Sequence, residues 1–358
     1  MRWPVSSSVA VLCRLLAVIL ASLLFSSSAM AARSITDSAG RTVDIPDQVN
    51  RVFAAGPPAS VLMYVLRPES LTGWPRALRE HERPYVASAF RDLPETGRLT
   101  GRGGEANLEA VLAAKPDLIV DFGSIRDTYI DLADRVQQQT GIPYVLIDGR
   151  FDQTPAALRL LGDVLGVADR GEQLAQEAEK LFSAVDRISA EVAASYRPRV
   201  YLARDPQGLE TGTVGSINTE IIERAGGRNV IDAGDGRPGS LVQLSMENII
   251  AIDPDVIVTW DSHFFESAQQ DPLWQGVSAL KTQQFYLSPM APFGWIDRPP
   301  SLNRLMGLAW MSRLLYPEQW SGTLAEDTRQ FYRQWYQVEL DDDELAVLLS
   351  WAEGRPPE

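Results

Sequence analysis

The 358-residue chain sets 33 Lys and Arg against 47 Asp and Glu, and its net charge of −14 disfavours nucleic acid and anionic membrane surfaces as partners. With only 2 His and 1 Cys it cannot build a bare zinc or manganese site from several imidazoles, a thiolate metal site or a disulfide framework. Its length and an apolar fraction of 45% suffice to bury a core without covalent staples.

In chain order, residues 1–31 come first. Arg2 and Arg14 precede an apolar run from Leu15 to Phe25, followed by three serines and Ala29-Met30-Ala31. This is the pattern of a signal peptide with a small-residue cleavage site. The run is shorter than the roughly 20 residues needed to cross a bilayer. Export is expected, with the mature chain beginning near Ala32. Cys13 would leave with the signal, and no cysteine follows the cleavage point to take a lipid.

Short runs rich in Val, Ile, Leu and aromatics then mark strands buried on both faces: RVFAA (51–55), SLTGW (70–74), DLIVDF (117–122) and PYVLID (143–148). Helical stretches separate many of them, which predicts parallel sheets of βα units. Residues 168–196 follow. There Leu174, Ala178, Leu181, Val185, Ile188 and Val192 recur at helical spacing, with no Pro and no Gly after Gly171. Some 25 helical residues would reach about 38 Å, the width of a small domain. Such a helix could simply lie across one domain, or it could be a stiff strut between two lobes.

A second series of strands lies beyond it: RVYLAR (199–204), DVIVTW (255–260) and FYLSP (285–289). An internal repeat favours the strut. NLEAVLAAKPDLIVDFGS (107–124) recurs 138 positions later as SMENIIAIDPDVIVTWDS (245–262), with seven of eighteen residues identical. Each copy begins at an N-cap (Asn107 or Ser245), runs two helical turns, stops at Pro116 or Pro254 and enters a buried strand. The fold class expected is α/β: two Rossmann-like lobes with central, mostly parallel sheets, joined by a single long α-helix. The divisions are 1–31 (signal), 32–166 (N-terminal lobe), 167–197 (connecting helix) and 198–358 (C-terminal lobe). Ligands of open α/β sheets sit beyond the carboxyl ends of the strands, so two facing lobes would enclose a cleft. Such a strut predicts small closure.

The order ITDSAGRTVDIP (35–46), NLEAVLAAKPDLIV, the long helix, AGGRNV (225–230) and SMENIIAIDPDVIV resembles the periplasmic solute-binding proteins of ATP-driven importers. The likeness is to the helical-backbone class that carries iron–siderophore complexes, haem or cobalamin, and it covers most of residues 33–320. It implies a periplasmic receptor, two lobes bridged by one rigid helix, and the transmembrane permease subunits of an ABC importer as partner. It also implies a role for Glu109 and Glu247, which would dock into basic pockets of the permease. The competing explanation is local, since an acid in the first helical turn favours the helix dipole by ~0.3–1 kcal/mol.

If the strands are parallel, the loops after them gather in the cleft. They bring Trp74, Trp260, Phe293 and Trp295 together with Arg76, Arg102, Arg204 and Arg298, and they place His263 beside Trp260. Indole walls with planar guanidinium donors suit a bulky ligand of negative charge. Core packing is the rival role for the tryptophans, and a solvated surface the rival for each arginine. Gly215-Ser216, read as a helix start, would add backbone N–H donors, and Pro299-Pro300 would start a helix near Ser301. No cofactor and no metal site of the protein's own are expected, His263 being the one imidazole placed for a direct bond to a bound metal. Gly226-Gly227 ends a helix, and Asp341 to Glu344 open the final one.

The expected function is therefore capture of a small anionic ligand by a monomeric exported receptor. An iron–siderophore complex ranks first, since the arginines argue for the anion and the resemblance supplies the iron. Molybdate or tungstate is a close alternative, and cobalamin and haem rank lower. An exported hydrolase is disfavoured by the lack of a G-x-S-x-G elbow and an H-E-x-x-H helix. Asp261 and Asp297 are the one pair of acids in a shared loop set, and their expected role is to orient neighbouring Arg or backbone groups.

Overall fold

A computed structural model describes residues 32–101, 107–232 and 238–354. The expected signal peptide and Arg102 lie outside these residues. None of the described helices is long and apolar enough to cross a membrane.

The chain opens with an antiparallel hairpin, β1 (Ala32–Thr36) and β2 (Thr42–Pro46). β3 (Val52–Ala54) leads into α1 (Pro57–Leu66), whose prolines occupy the first turn, where no intrahelical N–H is lost. α2 (Leu108–Ala114), β4 (Leu118–Gly123), α3 (Asp127–Thr140), β5 (Tyr144–Asp148) and α4 (Thr154–Val164) complete the first lobe. Its sheet has the order β3-β4-β5, all parallel. The strand expected at 70–74 does not form. Leu71 and Trp74 make only isolated bridges, to Val52 and Glu95. Gly73 between them lies so close to the Pro94 carbonyl that a Cβ would stand 2.2 Å from its oxygen.

The long helix α5 (Ala168–Ala190) runs for 23 residues and buries Leu174, Ala178, Val185 and Ile188 as its spacing required. It crosses α4 at two glycines, since a Cβ on Gly171 would stand 2.6 Å from the Leu158 carbonyl oxygen. The strut is thus seated on the first lobe before it carries the chain to the second.

The second lobe contains β6 (Arg199–Ala203), β7 (Glu210–Gly212), α6 (Ile221–Arg224), β8 (Arg228–Asn229) and β9 (Leu241–Gln243). α7 (Met246–Ile252), β10 (Val256–Thr259), α8 (Ser262–Ala268), α9 (Pro272–Gln275), α10 (Ser278–Lys281) and β11 (Phe285–Leu287) follow. Its four-stranded parallel sheet has the order β11-β10-β6-β8 and is separate from the first. Strand order reverses at β6, with β8 added on one side of it and β10 and β11 on the other, a switch point that opens a crevice beyond the carboxyl ends of β6 and β10.

The repeat is structural as well as sequential. Asn107 and Ser245 each cap a seven-residue helix by accepting from a backbone N–H three residues on. In the second copy Asn248 closes a capping box. Both helices end at a left-handed residue before the proline, Lys115 at φ 46° and Asp253 at φ 44°. Arg51 and Arg199, each heading the neighbouring strand, donate to the last carbonyls of these helices, at Ala114 and Lys115 and at Ile252 and Asp253. A guanidinium there satisfies orphan acceptors and offsets the helix dipole.

The last helices, α11 (Arg304–Leu315), α12 (Leu324–Phe331) and α13 (Asp342–Ala352), follow the second sheet in sequence but reach both lobes in space. Tyr64 of α1 donates to the Tyr336 carbonyl at 2.6 Å, and Tyr85 donates to that of Glu344 at 3.0 Å. Rings of Tyr64, Trp74, Phe293 and Tyr336 interlock across the junction. Asp341 caps α13 as its acidic start required, whereas α11 begins at Arg304 rather than near Ser301.

Candidate functional site

Between the lobes lies a cavity of about 620 Å³. The N-terminal end of α1 contributes Pro57, Ser60 and Val61, and the segments around 74–82 and 95–98 supply one wall. The loop after β11 supplies the other, with Met290, Phe293 and Arg298.

Four guanidinium groups line this space: Arg76, Arg79, Arg98 and Arg298. Arg76 grips Glu82 with two bonds of 2.8 and 2.5 Å, and the Arg79 backbone N–H donates to the same carboxylate at 2.8 Å. The bond from Glu82 is also the chief reason the Arg76 pKa is raised. Among the described residues, the guanidinium groups of Arg79, Arg98 and Arg298 have no carboxylate partner. Glu95 also faces the cavity, so four cationic groups stand against two acids.

Arg298 is the most constrained of the four. Its φ of +63° is uncommon outside glycine and costs on the order of 1–3 kcal/mol, so the surroundings must impose it. They do so through Asp297, fully buried and pinned by Arg204 at 2.6 Å and by the Asn218 amide at 3.1 Å. The Arg298 guanidinium then lies over the Trp260 ring, 4.1 Å from its centroid. Burial, reinforced by Arg204 and Arg79 and opposed by Asp297 and Asp261, pulls its pKa below the ordinary arginine value. A bound anion would relieve that cost. Among the described residues, the Trp260 indole N–H has no hydrogen-bond partner.

The sequence-predicted residues divide. Trp74, Arg76, Phe293 and Arg298 line the cavity, and Trp260 carries Arg298. Trp74 is nevertheless mostly core, 1% exposed, with its indole donating to the Phe90 carbonyl. Three residues are placed elsewhere than expected. Arg204 is 9% exposed and fully engaged by Asp297 and Glu210, so it shapes the loop and has no free charge for a ligand. Trp295 is 0% exposed and donates to the Tyr332 hydroxyl, anchoring the loop from within the core. His263 stands exposed on the first turn of α8, away from the cavity, which His81 lines instead. Among the described residues no three His, Cys, Asp or Glu groups converge on a metal position.

Gly215-Ser216 opens a turn, not a helix, because α6 starts only at Ile221. Gly215 borders a second inter-lobe recess of about 740 Å³ with Arg126, Arg150 and Asn218. Arg126 reaches across it to the Gly239 carbonyl at 3.1 Å. Beneath the cleft, Arg304, 2% exposed, donates to the Gly149 carbonyl of the first lobe at 2.9 Å and to Ile217 and Glu220 of the second at 2.7 and 2.8 Å. Glu220 in turn accepts from the Phe151 N–H at 2.8 Å. Sequence reasoning missed this clamp, and it missed Arg79 and Arg98, which follow no strand.

Glu109 and Glu247 are exposed, one on each lobe, in the first turns of α2 and α7. Hydrogen bonding from Ser245 lowers the Glu247 pKa.

The sequence profile of the periplasmic binding protein family matches residues 71–291. The molybdate-binding protein MolA of Haemophilus influenzae is 26% identical over 93% of this chain and 98% of its own length. A cobalamin-binding protein of Halobacterium salinarum is 27% identical over 62% of this chain and 57% of its own. Among solved structures, an ABC transporter solute binding protein from Sulfurospirillum deleyianum superposes with a TM-score of 0.80 at 27% identity, covering 89% of this chain and 99% of that one. MolA bound to molybdate superposes with a TM-score of 0.71 at 23% identity, covering 86% and 99%.

Proposed function

The chain belongs to the periplasmic binding protein family, and from that premise we propose that it captures a tetrahedral oxyanion of the molybdate and tungstate class for an ATP-driven importer. It is a solute-binding protein of an ABC transporter and not an enzyme. The observation that carries the oxyanion reading is the set of three cleft guanidinium groups, on Arg79, Arg98 and Arg298, without carboxylate partners among the described residues. A planar fork of N–H donors matches an oxyanion at short range, and charge-assisted bonds are roughly twice as strong as neutral ones. The near full-length likeness to a molybdate-binding protein supports the same choice over the iron–siderophore reading that the sequence favoured.

An anionic iron chelate is the second reading, and cavity size favours it. A tetrahedral oxyanion displaces on the order of two or three waters at roughly 30 Å³ each. The cavity of about 620 Å³ is several times larger. A chelate would fill it, with Phe293 and Met290 against its apolar parts.

Titration calorimetry of the ligand-free protein with molybdate, tungstate, sulfate and a ferric hydroxamate separates the two. We expect one-to-one binding of molybdate or tungstate, weakened about ten- to a hundredfold by Arg298→Ala, the range for losing one charge-assisted bond. Tight binding of the ferric chelate with none of the oxyanions would overturn the first reading.

Export and release by the signal segment, and docking of Glu109 and Glu247 on the permease, belong to the same proposal. Two acids held on separate lobes by one rigid helix fit a partner that presents the same basic surface twice.

A further inference from the structure

The two repeat helices expose an apolar side chain at the same place. Val111 and Ile249 are each 0% exposed and anchor α2 and α7 in the cores of their lobes. The residues that follow behave oppositely. Leu112 is 52% exposed and Ile250 47%. They occupy equivalent positions of the repeat and are two of the six exposed large hydrophobic residues among those described. Each stands three residues after an exposed glutamate, Glu109 or Glu247, so acid and aliphatic group share one helix face.

We propose that Leu112 and Ile250 are the apolar centres of two equivalent docking patches for the importer's transmembrane permease. The inference rests on the docking reading above and adds the contact that holds the complex together. A partner with two copies of one surface would offer, at each copy, a basic socket beside an apolar pocket. A second copy of this chain is a poorer occupant, because a two-fold self-contact uses one patch on each molecule and leaves the other bare. The patches need no rearrangement to be presented, since Arg51 and Arg199 fix the carboxyl end of each helix. The roles divide by range. Exposed glutamates steer encounter and set its dependence on salt, while desolvated aliphatic groups set the lifetime of the complex.

The experiment uses the full mature chain and its cognate permease in lipid nanodiscs, with binding kinetics and uptake both measured. Leu112→Ser with Ile250→Ser is expected to raise the dissociation rate about tenfold per site, the usual worth of covering such a side chain. Association rate, its salt dependence and ligand affinity should stay at wild-type values. Glu109→Lys with Glu247→Lys should instead slow association. The exchange Leu112→Ile with Ile250→Leu should keep wild-type lifetimes, and wild-type ligand affinity and melting temperature in the serine variant exclude a folding defect as the cause of its faster dissociation. If the serine variant dissociates and transports as wild type while the lysine variant fails, the apolar assignment is wrong and the docking reading stands. Wild-type docking by both variants overturns the docking reading and this inference with it. Loss of self-association in the serine variant with unchanged permease binding would assign the patches to a second copy.

Discussion

Replacing Arg304 by Met tests whether the lobes are locked together beneath the cleft. The guanidinium is 2% exposed, donates to three carbonyls and one carboxylate spanning both lobes, and lies over the Phe151 ring at 4.7 Å. Methionine keeps much of the apolar stem but strands Glu220, whose side chain is 21% exposed and also holds the Phe151 N–H. Removing one partner of a buried pair costs about 3–5 kcal/mol. Partial exposure of Glu220 places this case near the lower end, still a large share of a net stability of about 5–15 kcal/mol. Burial already raises the Glu220 pKa against the opposing pull of Arg304. Without that pull the pKa rises further. A carboxyl whose folded pKa exceeds its unfolded value contributes stability that is complete below the unfolded pKa and is lost as pH rises through the folded one. Urea denaturation of Arg304→Met should therefore show a deficit that widens from pH 5 to pH 8, and Glu220→Gln in the same chain should recover part of it. Arg150→Met is the control. That guanidinium is 66% exposed beside Asp148, and its loss should cost less than about 1 kcal/mol. A deficit for Arg304→Met no larger than the control's, or one independent of pH, would refute the clamp.

Two further substitutions probe the scaffold. Asp121, 6% exposed, accepts from the Thr100 and Tyr144 hydroxyls, and burial pushes its pKa up to about 6. Its contribution is complete below about pH 4 and is lost as pH rises through about 6, on the order of 3 kcal/mol. Asp121→Asn should flatten the fall in urea midpoint across that window, and an unchanged slope would exclude Asp121 as its source. Gly307 lies in α11 against the cleft loop, where an added Cβ would stand 2.0 Å from the Trp295 carbonyl oxygen. Alanine ordinarily favours a helix over glycine by about 1 kcal/mol. Here overpacking against backbone should reverse the sign, costing about 1–3 kcal/mol or more and shifting Arg298 with its loop. A higher melting temperature for Gly307→Ala would show that the contact does not exist.

Strands buried on both faces are continuous apolar runs, and β3, β4, β5, β6, β10 and β11 could be read from them directly. The strut was equally plain, because its apolar spacing persists from Leu174 to Ile188 with no Pro or Gly between. The run at 70–74 had the same composition but not the same fate. Close approach of Pro94 to Gly73, a tertiary matter, decided it. Position after a strand puts Arg298 beside the cavity. It said nothing of charge already spent, and Arg204 meets its carboxylate 93 residues away. Trp295 and Phe293 lie two apart in one loop, yet one is core and the other cavity wall. Arg79 and Arg98 sit in irregular segments where no periodicity points toward a site. The return of the C-terminal helices to α1 rests on long-range aromatic contacts that local pattern does not encode.

Charge now acts in two senses on one molecule. The chain as a whole is negative, at −14, while its cleft presents guanidinium groups. An oxyanion approaching from a distance meets repulsion first, and attraction takes over only inside the cleft. Salt screens beyond about 8–10 Å, so it weakens the outer field more than contacts at hydrogen-bond distance. Raising ionic strength should therefore speed ligand capture, whereas docking through Glu109 and Glu247 on a basic partner should slow. Stopped-flow capture of molybdate and nanodisc association, followed over the same salt series, check both signs. Capture that slows with salt would mean that the cleft's field reaches past the acidic surface, and the four arginines would then act as a long-range funnel instead of a short-range seat.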